Sequence, residues 1–141
     1  MRILVIHGPN LNLLGTREPG TYGTTTLAEL DDMVRARARE LGIAVEIVQH
    51  SSEGDIIDAI HSSRAWAEAI VINPAAYSHY SIAIRDAIAS VRVPVVEVHL
   101  TNIFAREDFR ARSVTGAVAH AVISGLGPQG YLLAIEYLAR R

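Results

Sequence analysis

Short runs of apolar and β-branched residues recur along the chain and predict five β-strands. The runs cover residues 3–6, 45–48, 70–72 and 93–98, with a weaker run at residues 117–123. Their apolarity is continuous instead of alternating, which is typical of strands that are covered on both faces. The pattern therefore predicts a buried parallel sheet.

Helical patterns separate these runs, and the clearest one covers residues 26–41. Thr26 and Glu29 have the spacing of a capping box at its start, and Gly42 is placed to end the helix. Further helices are predicted near residues 54–65, 81–90 and 129–139. Strands that alternate with helices predict right-handed βαβ crossovers, and thus an α/β fold with an open, doubly wound, flavodoxin-like sheet and helices on both faces.

Length and charge limit the organisation of the chain and its partners. The 141 residues, half of them hydrophobic, predict a single domain over residues 1–141. The formal charge is −2 and the thirteen basic residues are scattered, so no basic patch for nucleic acid or for an anionic membrane is expected. No run reaches the roughly 18 apolar residues of a membrane span, and the first run is too short for a signal peptide. We therefore expect a cytoplasmic protein whose partner is a small molecule or another protein.

Cysteine and lysine are both missing from the sequence, which narrows the possible chemistry. Without cysteine there are no disulfides, no thiolate catalysis and no cysteine-ligated metals. Without lysine there is no Schiff base, no pyridoxal-phosphate anchor and no Walker-type phosphate lysine.

Polar residues follow four of the predicted strands, where open parallel sheets bind their ligands. They lie in residues 7–10, 49–54, 73–79 and 97–102. Asn10 and Asn73 belong to this set, although asparagine is also an ordinary turn former, and the turn interpretation is favoured for either residue alone.

His99 ends a strongly apolar run and stands two residues after Glu97, so strand alternation directs both side chains to one face. A carboxylate beside an imidazole fixes its tautomer and favours its protonated form, as a general acid requires. The same spacing fits a core histidine that is satisfied by a structural glutamate, and the two interpretations stand evenly. His7 has no carboxylate at such spacing and is interpreted as structural.

The segment HGPNLNLLGTREPGTYG, residues 7–23, follows the first strand and contains glycines like a phosphate-binding loop. Its glycines match neither G-x-G-x-x-G nor the Walker spacing. Arg17 and Tyr22 lie in its glycine- and proline-rich part, which predicts a lid over about residues 16–24 that closes over a bound molecule. An ordinary phenol ionises near about pH 10, so a tyrosine base needs adjacent positive charge, which arginines in a water-poor site supply.

The segment after the fourth strand carries Arg106, Arg110 and Arg112. The simplest interpretation is a solvated charged segment in which the arginines neighbour Glu107 and Asp108. Its position after the strand of His99 makes carboxylate binding by these arginines the alternative.

Five blocks of sequence, in order, carry a family resemblance: GPNLNLLGTREPGTYG, EGDIIDAIH, INPAAYSHYSIAIRDAI, VEVHLTNIFAREDFRARS and GLGPQGYLLAIEYLA. On these blocks the chain resembles the type II 3-dehydroquinate dehydratases over nearly its whole length. The resemblance implies a flavodoxin-like subunit, a dodecamer of four trimers and a hydro-lyase reaction. That reaction is the dehydration of 3-dehydroquinate to 3-dehydroshikimate, in the shikimate pathway or in quinate catabolism, without cofactor, metal or Schiff-base lysine.

The resemblance also implies roles for single residues. Tyr22 would be the base, ionised with help from Arg17 and Arg106, and would remove a proton from the carbon next to the ketone. A water held by the Asn10 region would stabilise the resulting enolate.

In the same family pattern, His99 would be the acid that protonates the departing C1 hydroxyl, and Glu97 would orient it. Substrate binding would fall to Asn73, His79, Leu100, Thr101 and Arg110, and to Asp86 from a neighbouring subunit.

Several positions depart from the family pattern, although none removes the implied base or acid. The usual Q-S-N-H-E-G is QHSSEG at residues 49–54, and the usual T-H-T-S is SHYS at residues 78–81. Single departures stand at Ala75, Thr101, His120 and Ala121.

Two alternative functions remain open. A lyase acting on another cyclic polyhydroxy acid is suggested by Tyr80, Thr101 and residues 49–54. A flavodoxin-like nucleotide or flavin binder is suggested by the fold class alone.

Overall fold

A computed structural model describes residues 1–16 and 18–141. Within them, one sheet contains five strands: β1 (Arg2–His7), β2 (Ala44–Gln49), β3 (Ala69–Asn73), β4 (Val95–His99) and β5 (Ala121–Ser124). All neighbouring strands are parallel, and the order across the sheet is β2-β1-β3-β4-β5. This is the flavodoxin-like order, in which the direction of winding reverses between β1 and β3. The predicted doubly wound sheet is confirmed.

The described residues also form the helices α1 (Pro19–Tyr22), α2 (Leu27–Leu41), α3 (Glu53–Ser63), α4 (Ile82–Ser90) and α5 (Gln129–Arg140). At the start of α2 the Glu29 backbone N–H donates to Thr26 Oγ1 over 3.1 Å, and Gly42 ends the helix with a φ of 70°. The four predicted helices are confirmed, with ends that shift by a residue or two. The short helix α1, which carries Tyr22, has no periodic apolar pattern and was not predicted.

Two predicted strands begin later than the apolar runs suggest. β4 starts at Val95 because Pro94 precedes it and cannot donate a ladder hydrogen bond. Residues Gly116–Val118 form a 3₁₀ turn, so β5 starts only at Ala121. The apolar runs alone therefore did not predict the first residue of β4 or of β5.

The buried apolar side chains of the described residues form two clusters, one on each face of the sheet. Val5 and Val71 belong to the cluster that includes side chains of α2 and α5. Ile6 and Ile72 belong to the other cluster, which includes side chains of α3 and α4. Because neighbouring strand residues point to opposite faces, two covered faces explain the continuous apolar runs.

The edge strands are covered less than the sequence led us to expect. β3 and β4 are buried along their whole length. In β2, however, Ala44 and Glu46 are exposed, and β5 is only partly buried. β2 still packs on both faces, since Val45 and Ile47 contact one cluster and Val48 the other, but the edge strands are covered less completely than the central ones. Across the described parts of the chain, no helix has the length and apolarity to cross a membrane.

Candidate active site

A pocket of about 160 Å³ lies beyond the carboxyl ends of β1, β3 and β4, beside the point where the strand order reverses. The segments that follow these strands and the helix α1 provide its walls. The described lining residues are Pro9, Asn10, Leu11, Tyr22, Asn73, Ala75, Ala76, His79, His99, Leu100, Thr101, Ile103, Arg106 and Arg110. Most of the residues predicted to form a site are therefore brought together.

Gly8 lets the ends of β1 and β3 meet at this pocket. Its backbone N–H donates to the carbonyl oxygen of Asn73 over 2.8 Å. A Cβ atom at position 8 would lie only 2.7 Å from the backbone carbonyl carbon of Pro74. Any other side chain would force the two strand ends apart.

The two asparagines predicted as turn formers occupy turns and line the pocket as well. Asn10 has a φ of 68°, a left-handed conformation that asparagine tolerates, and its carbonyl accepts from the Leu13 N–H. Asn73 is buried, and its Oδ1 accepts the backbone N–H of Ala75 over 3.0 Å. Ala75 has a φ of 54°, which is strained for an alanine.

Glu97 and His99 are both buried and point to the same side of β4. His99 Nε2 lies 2.9 Å from Glu97 Oε2. Two hydroxyls bind the same carboxylate: Ser113 Oγ donates to Oε2 over 2.6 Å, and Thr115 Oγ1 donates to Oε1. Gly116 packs against this group so closely that a Cβ there would lie 2.9 Å from Glu97 Oε2.

This arrangement sets the charge of Glu97 and the tautomer of His99. Burial by itself would raise the pKa of Glu97, but the hydrogen bond and charge of His99 and the hydroxyls of Ser113 and Thr115 together hold that pKa below its usual value. An ionised Glu97 accepts the proton on His99 Nε2, so Nδ1 is the ring nitrogen that remains for a ligand.

Sequence reasoning missed Ser113 and Thr115. Ser113 ends one of the five resembling blocks, but nothing in its spacing relates it to Glu97, sixteen residues earlier. The segment between β4 and β5 contains short 3₁₀ turns, and its path brings Ser113 and Thr115 to the Glu97 carboxylate.

His79 lines the pocket, and a backbone carbonyl fixes its tautomer. Its Nδ1 lies 2.8 Å from the Arg112 carbonyl oxygen, which can only accept, so Nδ1 carries the proton and Nε2 does not. Burial lowers the pKa of His79, the Arg112 hydrogen bond opposes this, and the charges of His99 and Arg110 add to the lowering. His79 is therefore neutral near pH 7.

The arginine segment is a charged segment, as its simplest interpretation predicts, and two of its arginines also line the pocket. Arg110 Nε donates to Glu107 Oε2 over 2.6 Å, as a charged surface segment would, and Arg110 also lines the pocket. The Arg106 guanidinium carbon lies 5.2 Å from the centre of the Tyr22 ring. Arg112 contributes its backbone carbonyl through His79.

Two residues discussed from the sequence, Asp86 and His7, are absent from the described lining of this pocket. Arg17 lies outside the described residues. Asp86 is on α4, its side chain is 70% exposed, and its Oδ1 lies 3.8 Å from Arg85 Nη1. His7, which was interpreted as structural, is buried, and although no carboxylate stands beside it in the strand, its Nε2 lies 2.8 Å from Asp31 Oδ1 on α2.

Most departures from the family pattern lie away from the pocket. Among the changed residues 50–52, the Ser51 carbonyl accepts from the Tyr77 hydroxyl and Ser52 caps α3. Tyr80 is 61% exposed, and His120 binds the Tyr137 hydroxyl. Thr101 and Ala75 are the departures found among the described lining residues. No group of three or more histidine, aspartate or glutamate side chains among the described residues is arranged to hold a metal ion.

A flavodoxin-like sheet whose switch-point pocket is lined by a glutamate-paired histidine and by a tyrosine–arginine pair defines a small α/β enzyme. The family described as Dehydroquinase class II matches residues 1–139. The chain belongs to the class II dehydroquinases, a family of hydro-lyases.

Individual relatives agree with this assignment. The 3-dehydroquinate dehydratase of Caldanaerobacter subterraneus subsp. tengcongensis is 57% identical over 134 residues, which cover 95% of this chain and 90% of that protein. The protein named catabolic 3-dehydroquinase 2 of Neosartorya fischeri is 53% identical over 138 residues, covering 98% and 92%. The crystal structure of type II dehydroquinase from Propionibacterium acnes superposes with a TM-score of 0.96 at 48% identity, covering 99% of this chain and 97% of that one.

Proposed function

We propose that this protein dehydrates 3-dehydroquinate to 3-dehydroshikimate through an enolate intermediate, with Tyr22 as base and His99 as acid. The observation that carries the proposal is that one pocket is lined by His99, which is paired with the buried Glu97, and by Tyr22 beside Arg106. Elimination of water next to a ketone needs these two functions, one to remove a proton and one to protonate the leaving hydroxyl.

In the first step, the Tyr22 phenolate removes a proton from the carbon next to the substrate ketone. The electron pair of the broken C–H bond moves to the ketone oxygen and forms the enolate. Arg106, whose guanidinium carbon is 5.2 Å from the Tyr22 ring, provides positive charge that stabilises a phenolate, and Arg17 is proposed to add to it. A water held at the Asn10 turn would donate a hydrogen bond to the enolate oxygen.

In the second step, the enolate collapses and expels the C1 hydroxyl, which takes a proton from His99 and leaves as water. Glu97 is placed for this because its carboxylate accepts from His99 Nε2 and stabilises the imidazolium before the transfer. The proton removed by Tyr22 and the proton given by His99 balance, so the enzyme regains its starting state after exchange with solvent.

Substrate binding is proposed for the polar residues that surround these groups. Arg110 would hold the substrate carboxylate with its guanidinium fork. Hydroxyl and carboxylate oxygens of the substrate would meet Asn73, His79, the Leu100 backbone and Thr101.

Asp86, exposed on α4, is proposed to enter the site of a neighbouring subunit, which requires a homo-oligomer, with the dodecamer of four trimers as the expected form. We further propose that residues 1–141 act as one catalytic domain, with a lid over about residues 16–24. The cytoplasmic location remains a prediction of the sequence. Relatives named 3-dehydroquinate dehydratase and catabolic 3-dehydroquinase 2 match at similar identity, so the proposal covers the reaction and leaves both pathways open.

The test is an assay of the purified protein with 3-dehydroquinate, in which the conjugated enone of the product is followed by its absorbance. We expect turnover in the wild type, loss of turnover in His99→Asn, and wild-type turnover in His61→Asn, which changes an exposed histidine of α3. A folded wild-type protein without an absorbance rise would contradict the proposal. A higher kcat/KM on another cyclic polyhydroxy acid would favour the related lyase instead.

A further inference from the structure

A buried set of polar side chains leads from the pocket residue Asn73 to helix α2. His7 and Asn73 are direct partners in the register of β1 and β3, so their side chains lie next to each other on the face covered by α2 and α5. Tyr131 of α5 and His7 are both fully buried, and the Tyr131 hydroxyl lies 3.1 Å from His7 Nδ1. His7 Nε2 lies 2.8 Å from Asp31 Oδ1, and Asp31 is only partly buried.

When His7 is neutral, the hydrogen bonds of this set run in one direction, because the Asp31 carboxylate can only accept. The hydrogen bond of the Asn73 side chain lowers the pKa of Tyr131, as a donor to the phenol oxygen does, so Asn73 Nδ2 is the donor, while Asn73 Oδ1 accepts from the Ala75 N–H. The Tyr131 oxygen then accepts from Asn73, and its proton goes to His7 Nδ1. His7 therefore carries its proton on Nε2 and donates it to Asp31.

Tyr131 is suited to this role because it keeps its proton. Burial raises the pKa of Tyr131 above its ordinary value, the Asn73 hydrogen bond opposes the increase, and the negative charge of Asp31 adds to it. A tyrosine that stays protonated is a donor to an unprotonated His7 Nδ1.

We propose that Asp31, His7 and Tyr131 are positioning residues that fix the orientation of the Asn73 amide in the pocket. The second Nδ2–H of Asn73 is then the group presented to the ligand, so position 73 offers a donor and selects an oxygen acceptor. The inference rests on the proposed function, in which Asn73 binds substrate. It adds three residues that do not touch the substrate and act through Asn73.

A double-mutant cycle separates positioning from a purely structural role. The variants are Tyr131→Phe, Asn73→Ala and their combination, and the measured quantities are kcat and KM for 3-dehydroquinate. Tyr137→Phe is the matched control, since it removes another α5 hydroxyl that lies 2.7 Å from a histidine, His120 Nε2, on the exposed side of the helix.

We expect Tyr131→Phe to raise KM about fivefold to tenfold with kcat changed less than about twofold. In the Asn73→Ala background the same substitution should change KM less than about twofold, because the group it positions is gone. Tyr137→Phe should leave both constants unchanged in either background. An equal change of KM in both backgrounds, or no change in the wild-type background, would overturn the proposal.

A second pair of variants keeps the test decisive if Tyr131→Phe does not fold. Asp31 is at the partly exposed end of the set, so its replacement is tolerated more readily. Asp31→Ala removes the acceptor of His7 and should raise KM, whereas Asp31→Asn keeps an oxygen at this place and should restore it. Equal KM values for the two Asp31 variants would contradict the positioning role.

Crystal structures of Tyr131→Phe and Tyr137→Phe distinguish failure of the inference from failure of the proposed function. If the wild type does not turn over 3-dehydroquinate, the proposed function fails, and the orientation of Asn73 still tests the inference. We expect the Asn73 side chain to rotate away from its bond to the Ala75 N–H in Tyr131→Phe and to stay in place in Tyr137→Phe. An unchanged Asn73 in both variants would overturn the inference whatever the activity.

Discussion

His99 Nε2 and Glu97 Oε2 are 2.9 Å apart at the buried end of β4, and both carboxylate oxygens of Glu97 accept further hydrogen bonds from hydroxyls. A carboxylate that is removed from water is stable only when such donors replace its hydration. The pair therefore matters both for the stability of the fold and for the chemistry proposed for the pocket. Unfolding experiments test the first role and enzyme kinetics test the second.

Glu97→Gln should destabilise the protein in a pH-dependent way. Burial opposes ionisation of Glu97, but the bonds from His99, Ser113 and Thr115 lower its pKa below the ordinary value of 4.5. The stability that it contributes is complete above pH 4.5 and is lost as the pH falls through the lower folded-state pKa. Urea unfolding at pH 7 should show the variant less stable by about 2 kcal/mol.

The difference between wild type and Glu97→Gln should shrink as the pH falls below 4.5. Glu107→Gln is the control, because Glu107 also has a lowered pKa, set by its own backbone N–H and by Arg110, but it lies in solvent. Solvent screening makes its effect much smaller. A gap between wild type and Glu97→Gln that is constant with pH would refute the linkage.

Ser113→Ala should reduce turnover although Ser113 does not line the pocket. The substitution removes one donor to Glu97 and the acceptor of the Gly116 N–H, so the carboxylate that orients His99 is held less firmly. We expect kcat to fall about tenfold, with KM nearly unchanged. Ser113→Thr, which keeps the hydroxyl, should recover most of the loss. Ser90→Ala, which removes a hydroxyl at the end of α4, serves as the control. An equal fall in kcat in Ser90→Ala would contradict the role assigned to Ser113.

Tyr22→Phe should lower kcat by about a hundredfold or more while KM changes little, because a base acts mainly in the transition state. Steady-state kinetics with 3-dehydroquinate measures both constants. Tyr80→Phe, which removes an exposed hydroxyl, should behave as wild type. Turnover of Tyr22→Phe at the wild-type rate would exclude Tyr22 as the base.

Ala75→Gly should stabilise the protein, although it removes a methyl group from a partly buried position. Ala75 has a φ of 54°, a left-handed conformation that costs an alanine more than the extra chain entropy of glycine. We expect a gain of about 0.5–1 kcal/mol in chemical denaturation. Ala76→Gly, at the next residue without a positive φ, should instead lose about 0.5 kcal/mol. Destabilisation in both variants would show that Ala75 is not strained.

The strands, the long helices and part of the site were predictable because each depends on local or periodic information. Continuous apolarity identified the central strands, and the capping box identified the start of α2. The two-residue spacing of Glu97 and His99 placed both on one face of β4, as the structure has them. The sequence blocks also led to the family that the comparisons establish.

Contacts between distant segments were not predictable in the same way. Asp31 on α2 contacts His7 on β1. Ser113 and Thr115, in the segment before β5, bind Glu97. Arg106 lies beside Tyr22, although the two are 84 positions apart in the sequence. No periodicity relates such pairs, since their approach depends on the order of strands and on the path of short 3₁₀ turns.

By itself, the sequence determined the α/β class, the residue types that follow each strand, and the absence of lysine and cysteine from the chemistry. Only the tertiary structure decided which of those residues share a pocket and which donors hold Glu97, His79 and Asn73 in one protonation state or orientation. The physical reason is that apolar periodicity depends on residues that are close in the sequence. A buried polar group, in contrast, is satisfied by whichever hydrogen-bonding partner the fold brings next to it.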